Sequence, residues 1–150
     1  MNVLLDSRIG EIFVPKIFEY KQELQDQDLD GTYEHLHHAG ALRLLEAARL
    51  RLMEVIGCSQ EQLISLGILP VITRIHIDYK REVCKGSTVT TCEAAELTEK
   101  SMILSQKIFN SRGKEAVSAQ VWSMFMSAQS RRAVPLPEGL VQGISNFYHF

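Results

Sequence analysis

The chain has 150 residues, 45% of them apolar, and a formal net charge of −2. That length and composition fit one domain with a real core, the charge leaves no nucleic-acid footprint, and no apolar run is long enough to cross a bilayer. The leading MNVLL is too short, and lacks the basic lead, for a secretory signal.

Residues 1–12 show no clear period and are expected to be an irregular lead. Phe18, Tyr20 and Leu24 then alternate with Glu19, Lys21 and Glu23, which predicts a strand. A polar stretch, Gln25 to Asp28, ends it, and Gly31 marks a turn.

The longest helical pattern follows. Leu42, Leu45, Ala48, Leu52, Val55 and Ile56 fall on one stripe at steps of three and four, with Leu44 and Met53 flanking it. Arg43, Glu46, Arg51 and Glu54 lie on or near the opposite side. Arg49 falls inside the apolar arc, and Glu46 lies three residues earlier. Two readings follow: an ion pair at the edge of the core, or Glu46 facing a substrate pocket. Gly57 is the expected C-terminal cap. No Ser, Thr, Asp or Asn stands immediately before Ala39, so His37 or His38 must occupy the cap region. First-turn amides left free there can hold an anion or a developing oxyanion.

Ser59 with Gln62 is a capping-box pattern for a short second helix, stopped by Gly67. Val71 to Lys80 alternates as a long strand whose polar face carries His76. Short turns then separate three more strands, Thr88 to Leu97, Ser101 to Phe109 and Glu115 to Met126. The last is apolar enough to be covered on both faces. Residues 128–150 form a tail with Pro135, Pro137 and a weak helical pattern over Gly139 to Phe147. The order predicts an α+β fold, one long helix against a curved five-stranded antiparallel sheet, as a single domain over residues 1–150.

Cys58, Cys84 and Cys92 lack metal-type spacing, and their odd number argues against a disulfide framework, so they read as thiols in a reducing cytoplasm. Asp28, Asp30, His35, His37 and His38 share one loop, a spacing that would permit metal ligands, but no second cluster accompanies them and no metal is expected.

The residues from Asp30 to Ala39, followed by Leu45-Glu46-Ala47-Ala48-Arg49, resemble the signature of the hotdog-fold acyl-CoA thioesterases, in the branch of 4-hydroxybenzoyl-CoA thioesterase and the bacterial long-chain acyl-CoA thioesterases. The resemblance continues through Ile75 to Arg81 and Glu99 to Gln106, within residues 17–126. Two departures stand in the signature: His37-His38 replaces an Asn pair, and one extra residue lies between Asp30 and His35.

The resemblance implies a hotdog fold and hydrolysis of a fatty or aromatic acyl-CoA thioester, without a cofactor. Asp30 would be base or nucleophile, with Asp28 as its substitute if the insertion shifts the register. The His38 N–H would be the oxyanion donor, and His35 and Glu46 further candidates at the catalytic site. It also raises Arg81, Lys100 and Ser101 as binders of coenzyme A, and implies a homodimer or homotetramer with sites between subunits. The alternatives are a non-catalytic hotdog protein that binds an acyl thioester or a protein partner, and a thioesterase acting on acyl-carrier protein. An apolar slot for the acyl group is expected beside the helix, near Leu42, Leu45 and Met53.

Overall fold

The computed structural model describes residues 16–149, together with a short backbone pairing of β1 (Leu4–Leu5) with β2 (Ile12–Phe13). The irregular lead expected over residues 1–12 otherwise lies outside the described residues.

The long strands are β3 (Phe18–Glu23), β4 (Ile68–Tyr79), β5 (Ser87–Leu97), β6 (Ser101–Phe109) and β7 (Glu115–Ser127). They form one antiparallel sheet in the order β3-β5-β6-β7-β4. A sixth, short strand, β8 (Ala133–Val134), pairs with β7 at Phe125 and Met126, just beyond the first residue of β6. The sheet thus has the five predicted strands plus a short addition from the tail.

Helix α1 (His38–Val55) lies against the sheet, and the short α2 (Gln60–Ser65) follows it. Gly57 takes φ +79 just past the end of α1, the left-handed turn expected of a C-terminal glycine. Ser59 Oγ accepts from the Gln62 N–H and the Gln62 side chain accepts from the Ser59 N–H, so the capping box is present.

The buried line of α1 is Ala41, Leu44, Leu45, Ala48 and Leu52. It is rotated from the predicted stripe. Leu44 is buried, whereas Leu42 is 38% and Val55 54% exposed. The rotation follows from what the helix packs on: β3, β5 and β6 lie beneath it, and Leu42 faces the seam toward β4. Each fully buried leucine contributes about 2 kcal/mol through desolvation.

β6 alternates cleanly, sending Met102, Leu104, Gln106 and Ile108 inward. β7 does the same with Val117, Ala119, Val121, Ser123 and Phe125. Its other face carries Ser118, exposed Gln120 and half-buried Trp122, beside which the Arg74 guanidinium sits 5.2 Å from the indole ring. The expectation of a strand covered on both faces is therefore corrected to one covered face. The apolar Met124 and Trp122 misled the reading, because residues of that kind also occur on half-exposed sheet surfaces.

The tail folds back onto the body. Helix α3 (Glu138–Tyr148) inserts Leu140, Ile144, Phe147 and Tyr148 beside Ala48 and Leu52, and the Tyr148 hydroxyl donates to the Cys92 carbonyl at 2.8 Å. Cys92 is buried there and its thiol is pushed up to about 12 by burial; Cys58 is also buried and raised for the same reason, and Cys84 is exposed. A thiol reagent on the native protein is expected to modify Cys84 rapidly, and Cys58 and Cys92 only on unfolding. Intact mass during labelling reads this directly, and rapid multiple labelling would contradict the packing.

Candidate active site

The start of α1 is built by a loop that closes on itself. Leu29 bridges Leu36, and His35 bridges Cys84 just after β4. The Asp30 N–H donates to the His35 carbonyl at 2.7 Å, and the Glu34 N–H donates back to the Asp30 carbonyl at 2.9 Å. Glu34 holds φ +54 at the tip of this closed loop, a left-handed conformation that a side chain rarely adopts.

Below the loop, Asp28 acts as a strut. Its Oδ2 accepts from the Gln25 N–H at 2.9 Å, and its Oδ1 accepts from Arg43 Nε and Nη2 at 3.3 and 3.2 Å. Its carbonyl accepts from the His37 N–H at 2.8 Å. Asp28 is buried and fully engaged, so its expected role as a substitute base is corrected to one of tying the loop to the helix.

Asp30 is half-exposed. Its Oδ1 accepts from the Thr32 N–H at 2.8 Å and from the Tyr33 N–H at 3.2 Å, a side-chain turn typical of aspartate. These two amides, Thr32's first, hold the carboxyl below its ordinary value against slight desolvation, with His37 and His35 adding to the effect. Oδ2 takes no part in that turn.

His37 is the N-cap. Its Nδ1 accepts from the Ala39 N–H at 3.0 Å. The expectation of free first-turn amides is therefore corrected for Ala39, while among the described residues no acceptor takes the His38 N–H. Of the two histidines expected in the cap region, His37 is the cap, its ring turning an acceptor nitrogen toward the helix. The His37 and His38 rings lie 4.0 Å apart, and the Tyr79 hydroxyl donates to the His38 carbonyl at 3.0 Å.

Asp30, His35, His37, His38, Tyr79 and Arg81 share one cavity of about 400 Å³. His35 is 3.6 Å from Glu82, which also lines it. Arg81 donates to the Glu115 carbonyl at 2.7 Å, and Lys80 pairs with Glu115 at 2.8 Å. Lys100 and Ser101 stand elsewhere. Ser101 lies opposite Met124, whereas the cavity lies at the Ile108–Val117 level, roughly 23 Å along the strand within the same protomer.

Glu46 is exposed and lines a second cavity, of about 300 Å³, with Arg49, Ser123, Leu42, Met53 and Ile72. The predicted Glu46–Arg49 ion pair does not form within the described residues. Arg49 Nη1 instead donates to Gln106 Oε1 at 3.0 Å, and burial lowers its pKa from the usual arginine value against the opposing charge of Glu46. Sequence spacing could not find Gln106, which arrives from β6. Both cavities lie in the seam between α1 and β4: the first at Tyr79 to Arg81, the second at Pro70 to Ile75. Among the described residues, no three His, Cys, Asp or Glu side chains gather as a metal site, and no helix is long and apolar enough to cross a membrane.

The fold and this site define a hotdog architecture with a carboxylate at the leading end of its central helix. A family profile, the thioesterase-like superfamily, matches residues 23–144, and the chain belongs to that family. Among solved structures it is similar to a Staphylococcus aureus hypothetical protein in complex with CoA, with TM-score 0.82 and 20% identity over 91% of this chain and 87% of that one. It is also similar to a 1,4-dihydroxy-2-naphthoyl-CoA thioesterase from Synechocystis, with TM-score 0.79 and 16% identity over 87% and 96%. A third is a Thermus thermophilus thioesterase complexed with coenzyme A and Zn, with TM-score 0.74 and 21% identity over 88% and 94%. Among curated proteins no sequence matches the chain.

Proposed function

We propose that the chain is an acyl-CoA thioesterase in which Asp30 drives hydrolysis. The observation that carries this reading is that Asp30 and His38, whose N–H no described acceptor takes, line one cavity. Asp30 Oδ2 takes a proton from water as the water oxygen attacks the thioester carbonyl. The His38 N–H receives the developing oxyanion. Collapse breaks the carbon–sulfur bond, releasing the free acid and the CoA thiolate, which recovers the proton from Asp30 or through His35. No cofactor enters this scheme. Family membership and the CoA complexes of two similar structures support the substrate class.

The protein works as a dimer joined along β4. Among the described residues one edge of that strand is unpaired, and Ile72 and Tyr79 on it are 42% and 51% exposed. Such edges are commonly closed by a second copy across a two-fold axis. Antiparallel pairing of two β4 edges sets the start of one strand against the end of the other, which carries the second copy's Lys100 and Ser101 toward this cavity and its Arg81. Those three then serve the phosphates of CoA together. Two such dimers back to back give the tetramer alternative. Free Cys58, Cys84 and Cys92 support a cytoplasmic location.

The direct test is thiol release from a panel of fatty and aromatic acyl-CoA substrates, and no release from any of them would overturn the reading. Sedimentation at micromolar concentration is expected to show at least a dimer, and a monomer would contradict the shared site. A second reading, a non-catalytic protein that binds an acyl thioester, is favoured by the engagement of Asp30 Oδ1 with two amides. Tight ester binding without turnover would select it.

A further inference from the structure

The second cavity holds a cation in an apolar setting. Its walls include Leu42, Met53, Ile72 and Phe125, and Arg49 enters from α1. Arg49 is half-buried, and Gln106 accepts one of its five N–H groups. Gln106 is itself 1% exposed and fully committed. Its Oε1 accepts from Arg49, while its Nε2 donates to the Leu45 carbonyl at 3.1 Å and to Cys92 Sγ at 3.3 Å. The guanidinium is thus held from beneath by a buried, satisfied amide. Among the described residues no carboxylate lies in ion-pair range of Arg49; Glu46 stands at the exposed rim. Ser123, buried on the inward face of β7, lines the same cavity.

A purely aliphatic ligand would cover that guanidinium with hydrocarbon and leave its remaining donors unmet, which is costly. A carboxylate matches its planar fork. The cavity also follows the first along the same seam, since Ala41 lines one and Leu42 the other. Along α1 the helix start and Arg49 are roughly 16 Å apart at ~1.5 Å per residue. The arginine side chain leans back toward the helix start, which shortens the gap further.

We propose that this cavity takes the acyl group of the thioester, and that the group ends in a carboxylate bound by Arg49 and Ser123. The substrate class is then an ω-carboxyacyl thioester of medium length. Arg49 is a specificity residue and Gln106 its positioning residue. The inference rests on the proposed thioesterase reading for the orientation of the ligand.

The test separates the two. In an Asp30→Asn background, calorimetry compares adipoyl-, suberoyl- and sebacoyl-CoA with hexanoyl-, octanoyl- and decanoyl-CoA. At least one dicarboxylic member is expected to bind about tenfold tighter than its plain partner, a gap on the order of one good charged contact. Arg49→Met is expected to close that gap. Arg49→Lys, which keeps the charge and loses the fork, should close it in part, and serves if the methionine variant does not fold. Equal affinities within every pair, absence of binding by all six, or a preference that survives Arg49→Met would each overturn the proposal. Thiol release by the native protein from any of the six keeps the thioesterase reading whatever the calorimetry gives.

Discussion

Replacing Asp30 with Asn is expected to lower kcat for thiol release by a factor of about 10²–10⁴, the usual contribution of a positioned base. The substitution is chosen for what it keeps. An amide oxygen at the same place still accepts from the Thr32 and Tyr33 N–H groups, so the turn that shapes the loop survives. Only the charge and basicity at Oδ2 are lost. Thermal melting should therefore move little while turnover collapses, and KM should change less than kcat. Full activity in this variant would remove Asp30 from the mechanism.

The same two amides give the reaction a pH signature. They stabilise the ionised carboxylate, so its pKa lies below the ordinary 3.8. A base at Asp30 works only in its ionised form. As pH falls, activity should persist through the mildly acidic range and fail only as the carboxylate takes its proton, below the usual carboxylate range. An acid limb assigned to a carboxylate well above that range would point to another base.

The long helix was legible because its apolar residues repeat at helical spacing, and the strands because β4, β5, β6 and β7 alternate between short turns. The capping box at Ser59 and the glycine at the end of α1 could be read for the same reason: each is a local rule with its partner within a few residues. What escaped the sequence is what depends on distant partners. Leu42 reads as core by its spacing, yet α1 packs on β3, β5 and β6 and leaves that residue on the open seam. Arg49 reads as the partner of Glu46, yet a buried glutamine 57 residues away in the chain holds it. Asp28 and Asp30 look interchangeable in an acidic turn. Arg43 distinguishes them, because from the exposed side of α1 it pairs with the buried Asp28 carboxylate and leaves the other at the cavity.

Gly40→Ala is expected to damage activity and stability together, although Gly40 carries no chemistry. Gly40 lies in the first turn of α1, packed against the backbone of Asp28. A methyl group built there would meet the Asp28 carbonyl oxygen at 2.7 Å and the Asp28 Cα at 3.3 Å. Both are backbone atoms, so the relief cannot come from a rotating side chain. Either the loop or the helix start must move. That carbonyl is also the acceptor for the His37 N–H, and Asp28 is held by Arg43, so a shift at this point stretches the ties between the loop that carries Asp30 and the start of α1. Overpacking of this kind costs about 1–3 kcal/mol in stability. In turnover, displacing a reacting group by about 1 Å costs on the order of a hundredfold. Denaturant melts alongside kcat/KM should show both losses in the alanine variant. Arg43→Ala, which loosens the same loop without pushing it, should lose activity with less effect on the melt. Native kinetics in Gly40→Ala would mean that the loop yields freely there, and that the close approach of Asp28 to the helix does not set the position of Asp30.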